Sequence, residues 1–396
     1  MAGPSAHPCC RGGSPEGALE SPQYGRCSSH SRPARGAVRR APARAWRLIV
    51  QIGTVPVGEG HPPFIIAEMS GNHSGSLDRA LAIVDAAAVG GAQAIKLQTY
   101  TAGTMTLDLR RDEFLIQDAD SLWAGSSLYE LYDRAKTPWE WHEPIFDRAR
   151  EHGLIPFSSP FDATAVDFLD DLDVPVFKIA SLENTDLPLI RNVASRGKPL
   201  IISTGLATVE ELGAAVNAAR EAGCEDLVLL KCTSSYPAPV DGANLLTIPH
   251  LRRLFGCEVG LSDHTVGIGV AIASVALGAT VIEKHLTLKR DDEGVDSTFS
   301  MDPEELTRLT TEAHNAWRAL GDISFGPTAS EVPTLRRRRS LYVTQNVPAG
   351  GVLTEDNVRA IRPGLGLSPG HIDAVLGLRV ARDTPRGTPV AWDLFR

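Results

Sequence analysis

PLIISTGLATVEELGAAVNAAREAGCEDLVLLK, residues 199–231, holds one complete repeat of the architecture. An apolar run, PLIIST (199–204), passes into a helix-like segment, TVEELGAAVNAAREAG (208–223), and then into a second apolar run, LVLLK (227–231). Thr208 is placed to cap the start of the helix and Gly223 to close its end. Strands that read as continuous apolar runs, with helices between them, imply a parallel sheet covered by helices.

The same alternation extends in both directions. The other runs are FIIAE (64–68), AIKLQ (94–98), LIPFSS (154–159), VFKIA (176–180), EVGLSD (258–263) and TVIEKH (280–285), which brings the total to eight. Eight such units over about 250 residues is the size of a closed (β/α)8 barrel, the TIM barrel, and regular repetition favours closure over a doubly wound open sheet. The long interval 99–153 carries an aromatic insert with Trp123, Tyr129, Tyr132, Trp139 and Trp141, expected over the second βα loop.

Outside the barrel the pattern changes. A last helix is expected over 303–320, followed by linker composition in GDISFGPTASEVPT (321–334). Residues 338–396 then read as short strands and turns, a small β-rich domain. Residues 1–47 carry eight Arg against Glu16 and Glu20, show no hydrophobic period and are expected to be a disordered N-terminal extension. The expected division is 48–322 for the barrel, 323–337 for the linker and 338–396 for the small domain.

The composition sets limits. A net charge of −9 over 396 residues gives no overall positive field for nucleic acid or an anionic membrane, so neither is expected as a partner. The apolar runs fall far short of the ~20 residues of a membrane span. Cys224, Cys232 and Cys257 lack the CxxC spacing of a structural zinc site and are expected as reduced thiols in a cytoplasmic protein.

The chemistry of such barrels lies at the C-terminal strand ends, and here nearly every strand ends in polar residues. Strand by strand they are Glu68; Lys96 and Gln98; Ser158 and Ser159; Lys178 with Ser181 and Glu183; Ser203 and Thr204; Thr233, Ser234 and Tyr236; Ser262, Asp263 and His264; and Glu283 and His285. A buried ammonium is costly unless an anion neutralises it, so Lys96 and Lys178 require either nearby carboxylates such as Glu68, Glu183 or Glu283, or an anionic ligand. Two lysines beside a ring of hydroxyls favour the ligand, because together they match a phosphate with a carboxylate.

His264 and His285 end neighbouring strands and are expected to share a divalent ion, with donors suited to Mn, Fe, Zn or Mg. Glu283 lies two residues before His285 and so faces the same side of its strand. His73 follows the first strand and is a further candidate for the site. His142, His152, His250 and His314 are expected as surface or capping residues, and Arg336 to Arg339 as a solvated basic linker.

The stretches IAEMSGNHSGSLDRA (66–80), AIKLQTY (94–100), FSSPFD (157–162), FKIASLEN (177–184), IISTG (201–205), KCTSSYPA (231–238), GLSDHT (260–265) and IEKHLT (282–287) together resemble the sialic acid synthase family. SLYVTQNVPAG (340–350) and LTEDNVRAIRPG (353–364) similarly resemble its antifreeze-like (SAF) domain. The resemblance implies condensation of phosphoenolpyruvate, water and an amino sugar, with a divalent metal, Mn2+ or Mg2+, held by His264 and His285. It implies phosphoenolpyruvate binding by Lys96, Ser159, Lys178, Ser181, Ser203, Ser234 and Ser262, with Glu68 and Glu283 as catalytic carboxylates beside the two lysines. It implies sugar binding by Glu183, Tyr236, Asp296 and Arg362, the last from the other subunit of a domain-swapped homodimer.

Ser234 stands where the neuraminate branch carries Asn. TPWEWH (137–142), FSSPFD, KIASLEN, CTSSYPA and RRSLY (338–342) are closer to the pseudaminic acid branch, which implies 2,4-diacetamido-2,4,6-trideoxy-altrose as the sugar. The rivals are a neuraminate or legionaminate synthase, a metal-dependent isomerase or aldolase without phosphoenolpyruvate, and a non-catalytic sugar-binding protein.

Overall fold

The computed structural model describes residues 49–117, 123–292 and 294–396. The reading of residues 1–47 as a disordered extension lies outside the described residues. The chain enters through an antiparallel hairpin, β1 (Ile49–Ile52) and β2 (Val55–Gly58), turned at Gly53, whose φ is +55°. Val50, Ile52 and Val57 of this hairpin are buried in the barrel's apolar cluster.

Eight parallel strands then close into a barrel. They are β3 (Phe64–Glu68), β4 (Ala94–Thr99), β5 (Ile155–Pro160), β6 (Phe177–Ile179), β7 (Leu200–Ser203), β8 (Leu227–Cys232), β9 (Glu258–Asp263) and β10 (Val281–His285), with β10 pairing to β3 to complete the ring. All eight runs expected from sequence are strands. Apart from the half-buried Gln98 they are buried along their whole length, because helices cover the outer face and side chains fill the inner one.

Each strand is followed by a covering helix, and local signals fix their ends. The helix Val209–Glu221 starts at Thr208, whose hydroxyl accepts from Glu211 N while Glu211 reaches back, a capping box. Gly223, at φ +99°, turns the chain out of that helix. The helix Pro303–Leu320 begins at the same kind of box, formed by Asp302 and Glu305.

The aromatic interval becomes a roof. Helices Ala102–Met105 and Leu128–Ala135 lie between β4 and its covering helix His142–Glu151. Trp139 stacks on Phe168 at 4.6 Å, and Trp141 meets His73 edge-on at 5.6 Å, so these two tryptophans anchor the insert.

The C-terminal segment pairs β11 (Ser340–Val343) with β12 (Val358–Ile361) antiparallel. It has its own apolar cluster, including Leu341, Val343, Leu353, Val375 and Val390, distinct from that of the barrel. Among the described residues no helix is long and apolar enough to cross a membrane.

Candidate active site

Side chains alternate along a strand, so β10 sends Glu283 and His285 inward and Lys284 outward. The same rule turns Lys96 of β4, Lys178 of β6 and Ser262 of β9 into the barrel. These residues meet at the C-terminal mouth. Lys178 Nζ donates to Glu283 Oε1 at 3.2 Å, and Ser262 Oγ donates to the same oxygen at 3.0 Å. Lys96 forms an ion pair with Glu68, lies 3.8 Å from Glu283 Oε2 and donates to Ser159 Oγ at 3.4 Å. Glu68 Oε1 accepts from Ser70 N at 2.9 Å.

The floor is therefore an interlocked set of two ammonium groups and two carboxyls, not a bare positive patch. Each lysine thus has a carboxylate partner, Glu68 for Lys96 and Glu283 for Lys178. The two carboxyls are unlike. Burial works against the Glu283 anion, but Lys178 and Lys96 outweigh it and hold the group at about 2. For Glu68 burial prevails over the pull of Lys96 and raises it above the usual carboxylate range. Burial also lowers Lys178, which Glu283 only partly offsets, whereas Glu283 and Glu68 together raise Lys96.

Beside this floor the hydroxyls crowd into a nook. Gly205 N donates to Ser181 Oγ at 3.2 Å, and Asn184 Nδ2 donates to the carbonyls of Ser203 and Gly205 at 3.2 and 2.9 Å. A Cβ on Gly205 would lie 2.2 Å from Ser234 Oγ and 2.6 Å from Ser181 Oγ, so only glycine lets the backbone approach them. Ser203 Oγ is buried and bonds nothing among the described residues. Buried polar groups are nearly always satisfied, so such an atom marks room for a ligand.

The two imidazoles lie side by side, their ring centres 5.3 Å apart. His264 Nδ1 faces the Thr233 carbonyl at 3.0 Å; a carbonyl only accepts, so Nδ1 carries the hydrogen and Nε2 the lone pair. Burial, then the neighbouring His264, Lys96 and Lys284 charges, drive His285 well below the usual histidine range, which keeps it neutral as a metal ligand must be. His285 Nδ1 is buried without a hydrogen-bond partner and lies 3.7 Å from Asp296 Oδ2. Two adjacent imidazoles, one with such an orphaned nitrogen, suit a divalent ion that keeps open positions. Among the described residues no set of three or more His, Cys, Asp or Glu side chains is gathered tightly enough to enclose one.

Above these groups opens a cavity of about 210 Å³. Glu183, Tyr236, His285 and Asp296 line its polar side, and Tyr100, Met105, Trp123, Leu131, Tyr132 and Phe161 its apolar side. Tyr236 packs 4.6 Å from the His264 ring, and Ser70 Oγ bonds Asp296. Burial raises Asp296 and brings Glu183 up to about 7. Glu183 Oε2 has no hydrogen-bond partner among the described residues.

The mouth thus gathers the site residues expected from sequence with one exception, Arg362, which lies at a separate concavity with Arg337, Arg338 and Arg339. Of the other strand-end residues, Asp263 bonds Lys284 and Ser158 bonds Thr99 on the outward side of their strands. His142 corrects its expectation. It is fully buried, with Nε2 2.7 Å from Thr99 Oγ1, and burial lowers it to about 4. His73 is a structural pin: its Nδ1 accepts from Gly75 N at 3.1 Å, its Nε2 lies 3.4 Å from Thr137 Oγ1, and it does not line the cavity.

Strand-end reading also missed residues. Phe299 packs against both imidazoles, at 6.2 and 5.1 Å, and Cys232 Sγ lies 3.8 Å from His264 Nδ1. Cys232 was legible as the last residue of β8. Phe299 was not, because it sits in the long loop after β10.

Burial at Glu183 carries a prediction. The folded chain keeps a proton that the unfolded chain releases near the ordinary carboxylate value. Its contribution to stability is therefore full below that value and lost as the pH rises through about 7. Thermal midpoints measured from pH 4 to 8 should fall less steeply with pH in Glu183→Gln than in the wild type.

A model of the NeuB family matches residues 83–324, and one of the SAF domain matches residues 338–396. The chain is 42% identical over 336 residues to a pseudaminic acid synthase of Campylobacter jejuni, covering 84% of this chain and 96% of that one. It is 41% identical over 335 residues to a pseudaminic acid synthase of Helicobacter pylori, covering 84% and 97%. Among solved structures it resembles an N-acetylneuraminic acid synthetase of Leptospira borgpetersenii, with a TM-score of 0.65 and 31% identity, covering 73% of this chain and 95% of that one.

Proposed function

The chain belongs to the NeuB family of nonulosonic acid synthases, and from that membership we propose that it is a pseudaminic acid synthase. In this reading it condenses phosphoenolpyruvate with 2,4-diacetamido-2,4,6-trideoxy-altrose and water to give pseudaminic acid and phosphate. The observation that carries the chemistry is the paired floor of Lys96, Lys178, Glu68 and Glu283 beside the unsatisfied Ser203 hydroxyl.

Lys96 and Lys178, with Ser159, Ser181, Ser203, Ser234 and Ser262, hold the phosphate and carboxylate of phosphoenolpyruvate. His264 and His285 would hold a divalent ion, Mn2+ or Mg2+, which supplies Lewis acidity toward the sugar aldehyde. Glu183, Tyr236 and Asp296 orient the open-chain sugar so that its aldehyde carbon faces C3 of phosphoenolpyruvate. The new C–C bond leaves a cation at C2, and water adds there. Glu68, raised by burial, suits the base that takes the water proton. Glu283, held at about 2 by its lysines, suits fixing the ammonium groups instead. Collapse of the tetrahedral centre forms the ketone and expels phosphate.

The sugar follows from the cavity wall as well as from the relatives. A trideoxy sugar with two acetamido groups presents three methyl groups, and Met105, Trp123, Leu131 and Phe161 offer an apolar surface to receive them. Each buried methyl is worth about 0.8 kcal/mol. Leu131→Asn should therefore lower kcat/KM for the trideoxy sugar about tenfold while changing that for N-acetylmannosamine far less.

The same proposal includes a cytoplasmic location and a domain-swapped homodimer in which Arg362 serves the partner's site. Its support is that Arg362 does not line the cavity of its own barrel. The domain boundaries belong to it too: 48–322, 323–337 and 338–396, supported by the two separate apolar clusters. The test is phosphate release with phosphoenolpyruvate and each of three sugars, the trideoxy-altrose, its legionaminate counterpart and N-acetylmannosamine. The proposal predicts the highest kcat/KM for the first; a preference for N-acetylmannosamine would make the protein a neuraminate synthase.

A further inference from the structure

The tripeptides Ser262-Asp263-His264 and Glu283-Lys284-His285 end adjacent strands, and their middle residues face away from the cavity. Asp263 and Lys284 are direct partners in the β9–β10 register. Lys284 Nζ bonds Asp263 Oδ2 at 2.8 Å, and both side chains are almost completely buried, at 1% and 2% exposure. Lys284 also donates to the Thr265 carbonyl, and Asp263 Oδ1 accepts from Thr265 N at 3.0 Å. Among the described residues the side-chain hydrogen bonds of the pair thus all fall on residues 263–265, on both sides of His264.

Stability does not account for such a pair. Removing two charges from water costs about what their attraction returns, and well-packed apolar residues often serve as well or better. What an ion pair supplies and an apolar contact does not is a fixed direction and register. On the opposite face of the same two strands, Ser262 joins Glu283 at 3.0 Å and the two imidazoles lie 5.3 Å apart.

We infer that Asp263 and Lys284 are positioning residues: their buried ion pair locks the ends of β9 and β10 so that His264 and His285 are presented together to a divalent cation. This rests on the proposed role of the two histidines as metal ligands. The pair touches neither substrate nor cavity and acts only through the imidazoles it aligns.

The test is calorimetric titration of Mn2+ into chelator-treated full-length protein, with thermal midpoints measured in parallel. It compares the wild type, His264→Ala, and the double variant Asp263→Leu/Lys284→Met. The expected result is one Mn2+ per wild-type chain, lost in His264→Ala. The double variant should keep a near-normal midpoint but bind Mn2+ about 10–100-fold more weakly, as loss of supporting contacts does at other metal sites. A role in stability alone predicts the reverse, a shifted midpoint with unchanged affinity, and that would overturn the inference. Should the apolar pair not fold, Lys284→Arg keeps the charge and changes only the donor geometry; weaker binding there supports the inference and unchanged binding overturns it. A wild type that binds no Mn2+, or binds it equally well after His264→Ala, would overturn the metal reading and this inference with it.

Discussion

Lys178→Met is expected to lower kcat/KM for phosphoenolpyruvate by about 10²- to 10³-fold, read from phosphate release. Lys178 is 2% exposed at its side chain and bonds Glu283 at 3.2 Å, so methionine fills its volume but leaves a buried carboxylate with Lys96 as its remaining cation at 3.8 Å. Removing one preorganised donor to a bound or developing anion costs about 10²–10³-fold in rate, which sets this loss, and breaking one side of a buried pair costs about 3–5 kcal/mol of stability. The variant should also be less stable. Pairing it with Glu283→Met should return much of the stability, because the orphaned charge is gone, but none of the activity, because the anion loses its ammonium. A double variant that recovers both would show that the lysine served the fold alone.

His264→Ala and His285→Ala should each bring turnover close to background while leaving the barrel folded. Both rings sit at strand ends, and each is packed by Phe299 and, at His264, by Tyr236, so truncation removes a site group with little disturbance of the apolar cluster. Equilibrium binding of phosphoenolpyruvate should change little, since its lysines and hydroxyls are separate from the imidazoles. A chelator should reproduce the loss in the wild type, and added Mn2+ or Mg2+ should restore it there but not in either variant. Turnover by a histidine variant after chelation would remove the Lewis-acid role from the mechanism.

Much of this is legible in the sequence because period and position carry it. FIIAE, EVGLSD and TVIEKH are strands within a residue of where they read, and the rule that chemistry sits at strand ends selected Glu68, Lys96, Lys178, His264, Glu283 and His285. The hairpin Ile49–Gly58 was not read, because two four-residue strands offer too short a pattern to separate from a linker.

Pairing was the second blind spot. Sequence placed Lys96 and Lys178 near several carboxylates but could not say that Glu283 bridges both, nor that this would leave Glu68 as the carboxyl raised by burial. His142 misled because its strand-remote position gave no sign of Thr99 beneath it. The roof residues Met105 and Leu131 lie on two short helices of the insert whose placement over the mouth is decided by tertiary packing, which no local period reports.

The most direct test of the central claim follows the carbon of phosphoenolpyruvate labelled with ¹³C at C3. Incubated with the enzyme, a divalent metal and 2,4-diacetamido-2,4,6-trideoxy-altrose, the label should appear in NMR spectra as the C3 methylene of a nine-carbon 2-ulosonic acid, with one phosphate released per product. Label found in pyruvate, or retained as a vinylic carbon in an enolpyruvyl ether, would mean that the mouth of this barrel does not join the two substrates through carbon.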